Sequence, residues 1–418
     1  MTDLCDLNRV HFGDTAVTIA DLRAQAGEAL AGHDLSAERC VFVVDTMREA
    51  LGCVAYGMSQ DLDFGVIERA RLSPEVEGRF AENHVQLRNA HDGTPVGGEV
   101  APGEVQQGRV TVLTSGTTGL LKLIAHTAAT LNTFDRVQSL PQNKWFLPYQ
   151  IGSYAWYQMV ALGLFKEGQS LIPGDIADLA TSFEAAIGRG HVTAISSTPT
   201  FWRHALMSLD EATLRRAELR SISMGGEIVD QAILDRLSAL YPSARIRHIY
   251  ASSEAGAAIV VSDGKAGFKA DLLTRDDAAI GVKVEDGRLY IRSPYANRAD
   301  AGGWVDTQDL VEQRGDRVYF LGRAGNSMIN VGGQKAFPQD IEAHLMAHEN
   351  VVWARVVARK APMMGALPVA SVVLRDPMEE AAAEQMLTAH CEAGLAEFAV
   401  PRMWDFLSEI PMKASLKS

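Results

Sequence analysis

The sequence predicts an α/β fold, with a large N-terminal region of layered sheets and helices and a small α+β region at the C-terminal end, and three observations predict it. First, residues up to about Ala101 alternate helix and strand: Ile19 to Ala31 has helical periodicity, Cys40 to Val44 is a short apolar strand, and Met47 to Tyr56 is helical again. Second, the middle of the chain repeats a strand followed by a turn: Ala194 to Ser197 before Thr198-Pro199, Ser221 to Met224 before Gly225-Gly226, and Ile246 to Tyr250. Third, the last stretch reads strand, strand, helix over Val351 to Ala358, Leu367 to Leu374 and Glu379 to Leu395. At 418 residues and 45.3 kDa the chain is too long for one compact core.

Composition narrows the class. A hydrophobic share of 47% with 22% charged residues describes a folded, soluble protein. The net charge of -13 disfavours nucleic acid as a partner, because no Lys/Arg stripe is present to neutralise phosphates. Cys5, Cys40, Cys53 and Cys391 are scattered without metal or redox spacing, and the N-terminus is acidic where a signal peptide would be basic and then apolar. A cytoplasmic location is expected. Trp145 to Phe165 carries no charge, but Pro148, Gln150, Gly152, Ser153 and Gln158 interrupt it, so a buried segment is expected in place of a membrane span.

The stretch from Val112 to Lys122 carries the first chemical signal. Val110, Val112 and Leu113 lead in as a buried strand, and Thr114, Ser115, Gly116, Thr117, Thr118 and Gly119 follow. Small residues let the backbone approach an anion, their amides and hydroxyls supply donors, and Lys122 adds a point charge. The order differs from the Gly-x-x-x-x-Gly-Lys-Ser/Thr nucleotide loop, which disfavours a phosphotransferase on that fold. Beyond it, Ile124 to Val137 reads as a helix with His126 near its start.

Further motifs follow in order. Leu147-Pro-Tyr-Gln-Ile-Gly152 precedes the aromatic stretch with Tyr149, Tyr154 and Trp156, and Thr198-Pro-Thr-Phe-Trp-Arg203 begins a helix containing Trp202. Gly225-Gly226-Glu227 is a tight turn after a strand. Tyr250-Ala-Ser-Ser-Glu254 ends another: Tyr250 can stack on a base, Ser253 can donate to a phosphate, and Glu254 can hold Mg2+. Gly302-Gly-Trp-Val-Asp-Thr-Gln-Asp309 presents a carboxylate suited to a pair of hydroxyls, and Gly322 to Glu342 carries Arg323, Gly332-Gly333 and Pro338. His344 and His348 stand one helical turn apart without an evident third metal ligand, and Ile410 to Lys417 contains two lysines, Lys413 and Lys417.

Taken together, these motifs resemble the adenylate-forming superfamily of acyl- and aryl-CoA synthetases, nonribosomal peptide adenylation domains and luciferases, from about Val110 to the end of the chain. The resemblance implies a large domain over residues 1–322 and a mobile C-terminal lid over 323–418, hinged near Gly325, where relatives usually carry Asp or Lys. It implies that Thr114 to Gly119 with Lys122 and Ser253 hold phosphates, that Glu254 is the metal ligand, and that Gly226, Glu227, Tyr250, Asp309 and Arg323 surround the adenosine. Lys417 becomes the catalytic lysine, with Lys413 its competitor.

The same resemblance puts Tyr149, Gln150, Tyr154, Trp202 and Gly225 around the acyl group and Gly332-Gly333 beside the thiol arm. Gln150 stands where many relatives have a gating His, and Ile151 where amino-acid-activating relatives have Asp, so a non-amino-acid substrate is expected. Ala251, Ser253, Gln308 and Leu416 also depart from the usual pattern. The implied activity is ATP-dependent ligation of a carboxylic acid, through an acyl-adenylate, to coenzyme A. The alternatives are a separate acyl carrier protein bearing phosphopantetheine, an amine acceptor, and a binding protein that holds nucleotide without turnover.

Overall fold

The computed structural model describes residues 4–115, 121–135, 137, 140–275, 279–296, 303–324, 328–361 and 365–411. Gly116, Thr117, Thr118, Gly119, Gly325, Lys413 and Lys417 therefore lie outside the described residues.

Two sheets face each other across a shared core. The first orders its strands Gln86–Asn89, Arg39–Val44, Asp63–Glu68, Arg109–Ser115 and Leu121–Thr127, parallel except for the last. The second has eight strands in the order Gly256–Val261, Arg245–Ser252, Ser221–Gly225, Ala194–Ser197, Asn143–Leu147, Gln169–Pro173, Arg9–Phe12 and Thr15–Thr18, with antiparallel edges and a parallel interior. Strands such as Cys40 to Val44 are apolar throughout because helices cover them.

Helices Met47–Ser59 and Tyr154–Phe165 fill the space between these sheets. Tyr157 bridges the layers: its hydroxyl accepts from the Val66 amide at 3.1 Å. The uncharged stretch from Trp145 is thus a strand end and a core helix whose hydrophobic faces point both ways, as burial on all sides requires. No helix among the described residues is long and apolar enough to cross a membrane.

Local sequence explains the boundaries. Thr46 and Glu49 form a reciprocal cap on Met47–Ser59, and Thr198 caps Pro199–Ser208 with Pro199 in the first turn, as its missing N–H allows. One expectation fails. Leu121–Thr127 is a strand antiparallel to Arg109–Ser115, followed only by the short helix Ala128–Leu131, so the helix read over Ile124 to Val137 does not form. Its buried positions alternate: Ile124 and His126 are 8% and 2% exposed, the period of a strand.

A third sheet, of five antiparallel strands, runs Phe268–Lys269, Arg317–Arg323, Trp304–Arg314, Arg288–Arg292 and Gly281–Glu285. The C-terminal region then forms its own core, from Ile329 to Phe406. There Gly365–Leu374 pairs antiparallel with Val351–Ala361 and parallel with Met403–Leu407, a strand not anticipated from sequence. Helices Pro338–Met346 and Glu380–Gly394 pack against these strands and each other. Arg314 of the third sheet reaches this region through Asp340, 3.1 Å away in the first turn of Pro338–Met346.

Candidate active site

In open parallel sheets ligands gather beyond the carboxyl ends of the strands. Here those ends carry the motifs singled out in the sequence: Thr114 and Ser115 close one strand, Gly225 another, Ser252 leads to Ser253 and Glu254, and Leu147 leads to Tyr149 and Gln150. Register puts Thr114 opposite Lys122. Lys122 is exposed and, by alternation, shares a strand face with Ile124 and His126.

His126 organises this corner. It is buried, with Nε2 2.9 Å from the Ser253 carbonyl and Nδ1 3.0 Å from the Thr130 hydroxyl. A carbonyl only accepts, so Nε2 carries the proton and Nδ1 accepts from Thr130. Burial pulls the imidazole down to about 4, against the opposing pull of the Ser253 carbonyl and the Glu254 charge, so the ring is neutral at pH 7. The ring also packs on Tyr154 with centroids 5.2 Å apart. Sequence reasoning assigned His126 no role, because its misread helix hid that it faces inward.

A second group joins the second and third sheets. Tyr250 stacks on Phe320 at 4.9 Å and 11°, and its hydroxyl donates to the Asp309 carboxylate. Arg323 approaches the same carboxylate at 3.4 Å, and the Asp309 amide donates to the Thr307 hydroxyl at 3.2 Å. Burial pushes both Tyr250 and Asp309 upward, with the Asp309 charge adding to the rise at Tyr250 and Tyr250 and Arg323 opposing it at Asp309.

Asp309 reaches that position by an irregularity. Trp304–Arg314 is one strand, but against Arg288–Arg292 its pairing jumps from Asp306, opposite Tyr290, to Leu310, opposite Arg288, and Gln308 within the jump adopts φ 62°. This is the left-handed region that favours glycine, the residue the resemblance leads one to expect there. The Gln308 amide and carbonyl are both held, by Asp306 at 2.8 Å and by the Ala324 amide at 2.7 Å. A bulge of this kind re-aims the next side chain.

The remaining predicted residues divide. Tyr149 is buried and bonds Ser196 at 3.1 Å on the neighbouring strand, and the Gly152 carbonyl accepts from the Leu113 amide at 3.0 Å, tying the Tyr149-to-Gly152 loop to the strand Arg109–Ser115. Gln150 is half-buried at that loop. A Cβ on Gly225 would stand 2.9 Å from the Ile249 carbonyl, and Gly226 has φ 80°, so both glycines are required by the turn itself. Glu227 accepts from the Thr200 amide and hydroxyl at 3.0 Å each, holding the turn against the start of Pro199–Ser208.

Trp202 is wholly buried among Phe183, Phe201 and Tyr241, with edge-on or tilted rings, and so stands in the core and not on a pocket wall. Gly332 and Gly333 turn the hairpin between Ile329–Val331 and Gln334–Ala336 with positive φ and open space around them. His344 stacks on His390 at 4.3 Å, each ring bonding the other residue's carbonyl, and no cluster of three or more metal-ligating side chains exists among the described residues.

This fold and this constellation define a nucleotide-dependent class, and the chain belongs to the AMP-binding enzyme family: the family's profile matches residues 37–302, and that of the AMP-binding enzyme C-terminal domain matches residues 340–417. Among curated relatives, a 2-succinylbenzoate–CoA ligase of Bacillus cereus is 32% identical over 171 residues, covering 38% of this chain and 34% of that protein. One from Bacillus mycoides is 28% identical over 250 residues, covering 54% and 50%. The chain thus matches between a third and a half of those relatives' length. The fold is shared with an anthranilate CoA ligase solved with anthranoyl-AMP, at TM-score 0.76 and 18% identity over 99% of this chain and 93% of that one. It is shared also with the o-succinylbenzoate CoA synthetase of Bacillus subtilis solved with its acyl-adenylate, at 0.70 and 20% over 99% and 94%.

Proposed function

We propose that this chain is an ATP-dependent carboxylic acid ligase that forms an acyl-adenylate and then a thioester with coenzyme A, on a substrate without an α-amino group. The observation that carries the reading is the meeting of Tyr250, near the carboxyl end of Arg245–Ser252, with Asp309 of the third sheet, three residues before the turn that bears Ser253 and Glu254. Tyr250 keeps one face on Phe320 and offers the other to adenine, Asp309 and Arg323 take the ribose, and Lys122 with the Thr114-to-Gly119 loop takes the outer phosphates.

The residues fit Mg2+ as well. Glu254 is a hard oxygen donor on a turn that the bond from His126 to the Ser253 carbonyl holds, and it would be the carboxylate that meets the ion. Bound there, Mg2+ neutralises phosphate charge.

In the first half-reaction a substrate carboxylate oxygen bonds to the α-phosphorus of ATP and the bond to pyrophosphate breaks. In the second the thiol sulfur bonds to the acyl carbon, the bond to AMP breaks, and the thiol proton leaves to solvent. Lys417 neutralises oxygens of the carboxylate and α-phosphate in the first step. The boundary between large domain and lid is assigned to Gly322-Arg323 and the pivot to Gly325; rotation there exchanges Lys417 for the Gly332-Gly333 turn. Tyr149, Tyr154 and Gly226 favour an apolar or aromatic acid.

The test is pyrophosphate release with MgATP across aryl, short and medium-chain acids, with and without coenzyme A. Release with some acid, and AMP accumulating only with coenzyme A, is the expected result. Pyrophosphate release indifferent to coenzyme A would redirect the acceptor to a carrier protein or amine. Silence throughout, with tight nucleotide binding, would make this a binding protein. Lys417→Ala is expected to abolish ATP-pyrophosphate exchange while Lys413→Ala retains it.

A further inference from the structure

We infer that His126 is a positioning residue for the metal-binding turn: through its Nε2 proton it fixes the Ser253 carbonyl, and so sets where the Ser253 hydroxyl and the Glu254 carboxylate stand. The inference rests on the ligase reading for the roles of those two residues, and on geometry for the rest. His126 comes from Leu121–Thr127, the strand that returns from the phosphate loop, while Ser253 belongs to the turn after Arg245–Ser252 in the other sheet. The 2.9 Å bond spans 127 positions of sequence and joins the phosphate-loop strand to the turn bearing Glu254.

Three features make the imidazole suited to this. The peptide it grips lies between the two functional side chains, so a single bond constrains both. Thr130, in the helix Ala128–Leu131 that directly follows the strand, holds Nδ1 at 3.0 Å and thereby fixes the tautomer that leaves the proton on Nε2. Thr130 is itself anchored, its oxygen accepting the Thr127 amide at 2.9 Å. Tyr154 closes the ring's face, so the acyl-pocket candidate, the phosphate-loop strand and the metal turn meet on one side chain.

His126→Leu keeps the volume and removes the donor; His126→Gln keeps an N–H at the place of Nε2; Thr130→Val removes the group that fixes the tautomer. The readout is ATP affinity by calorimetry without any acid, once with Mg2+ and once with chelator, alongside thermal melting. Wild-type protein is expected to bind ATP more tightly with Mg2+. His126→Leu should shrink that Mg2+-dependent gain about tenfold, the scale of one buried hydrogen bond, while affinity with chelator stays within about threefold. Gln should restore most of the gain, and Thr130→Val should lose a smaller part of it.

A purely structural role would instead lower melting and both affinities together, with Gln no better than Leu. That result, or an unchanged Mg2+ gain in His126→Leu, overturns the inference. If the wild type binds ATP but Mg2+ makes no difference, the inference fails alone, and pyrophosphate release still judges the ligase reading. If the wild type binds no ATP, the ligase reading falls and carries the inference with it.

Discussion

The Tyr250 hydroxyl donates to the Asp309 carboxylate across the junction of two sheets, so the base-stacking candidate and the ribose-binding candidate form one unit. Phe320 backs the tyrosine and Thr307 backs the aspartate. Asp309→Ala should therefore raise the KM for ATP about 10- to 100-fold, since hydrogen bonds to a charged group are worth about 1.5–3 kcal/mol. Tyr250→Phe keeps the stack and should stay within about threefold. Steady-state kinetics in ATP checks both, and an Asp309→Ala enzyme of ordinary KM would remove Asp309 from the nucleotide site.

Gln308 supplies a second prediction. At φ 62° any side chain is strained by about 1–2 kcal/mol, that of Gln308 included, and one with a branched Cβ more, whereas glycine is not. Gln308→Val should destabilise further and weaken ATP binding as Asp309 loses its aim; Gln308→Gly should do neither and relieves the strain. Urea midpoints and ATP titrations of the two variants give the answer, and equal behaviour of Val and Gly would mean that the bulge does not set the position of Asp309.

Gly152 has φ 79°, and a Cβ there would stand 2.5 Å from the Val66 carbonyl. Both backbone and neighbour are fixed, so Gly152→Ala should cost about 2–3 kcal/mol. Because its carbonyl holds the Leu113 amide just before Thr114, pyrophosphate release should fall by more than the unfolded fraction accounts for. Thermal melting beside activity at a temperature well below the transition separates the two effects.

Trp202 tests core against pocket. Complete burial in an aromatic cluster predicts a loss of about 3–5 kcal/mol for Trp202→Ala, and little change in the ranking of acids for the milder Trp202→Phe. A reordered acid panel in Trp202→Phe, at near-normal melting temperature, would return Trp202 to the acyl pocket.

The sheet-forming parts of the sequence were legible where the strands are apolar on both faces, as at Cys40 to Val44, or end in glycine turns, as at Ser221 to Gly225. Leu121–Thr127 was not, because its inward face pairs Ile124 with a histidine, and a buried imidazole looks like a polar position until its partners are known. Met403–Leu407 escaped for a related reason: Trp404 and Phe406 alternate with Asp405 over too short a run to stand out. In the candidate site, residue types pointed to Tyr250, Glu254 and Asp309, but nothing in the order of residues told that Thr307, Thr200 and Phe320 would brace the motif residues. Trp202 sits beside motif positions in sequence, yet its helix turns it into the core.

The contact between Arg314 and Asp340 joins two side chains that are 48% and 37% exposed. Pairs this open are worth about 0–1 kcal/mol and are screened over about 10 Å at 0.1 M salt. Raised ionic strength is consequently expected to loosen how the helix Pro338–Met346 rests against the third sheet, as it does every exposed charge contact of the molecule.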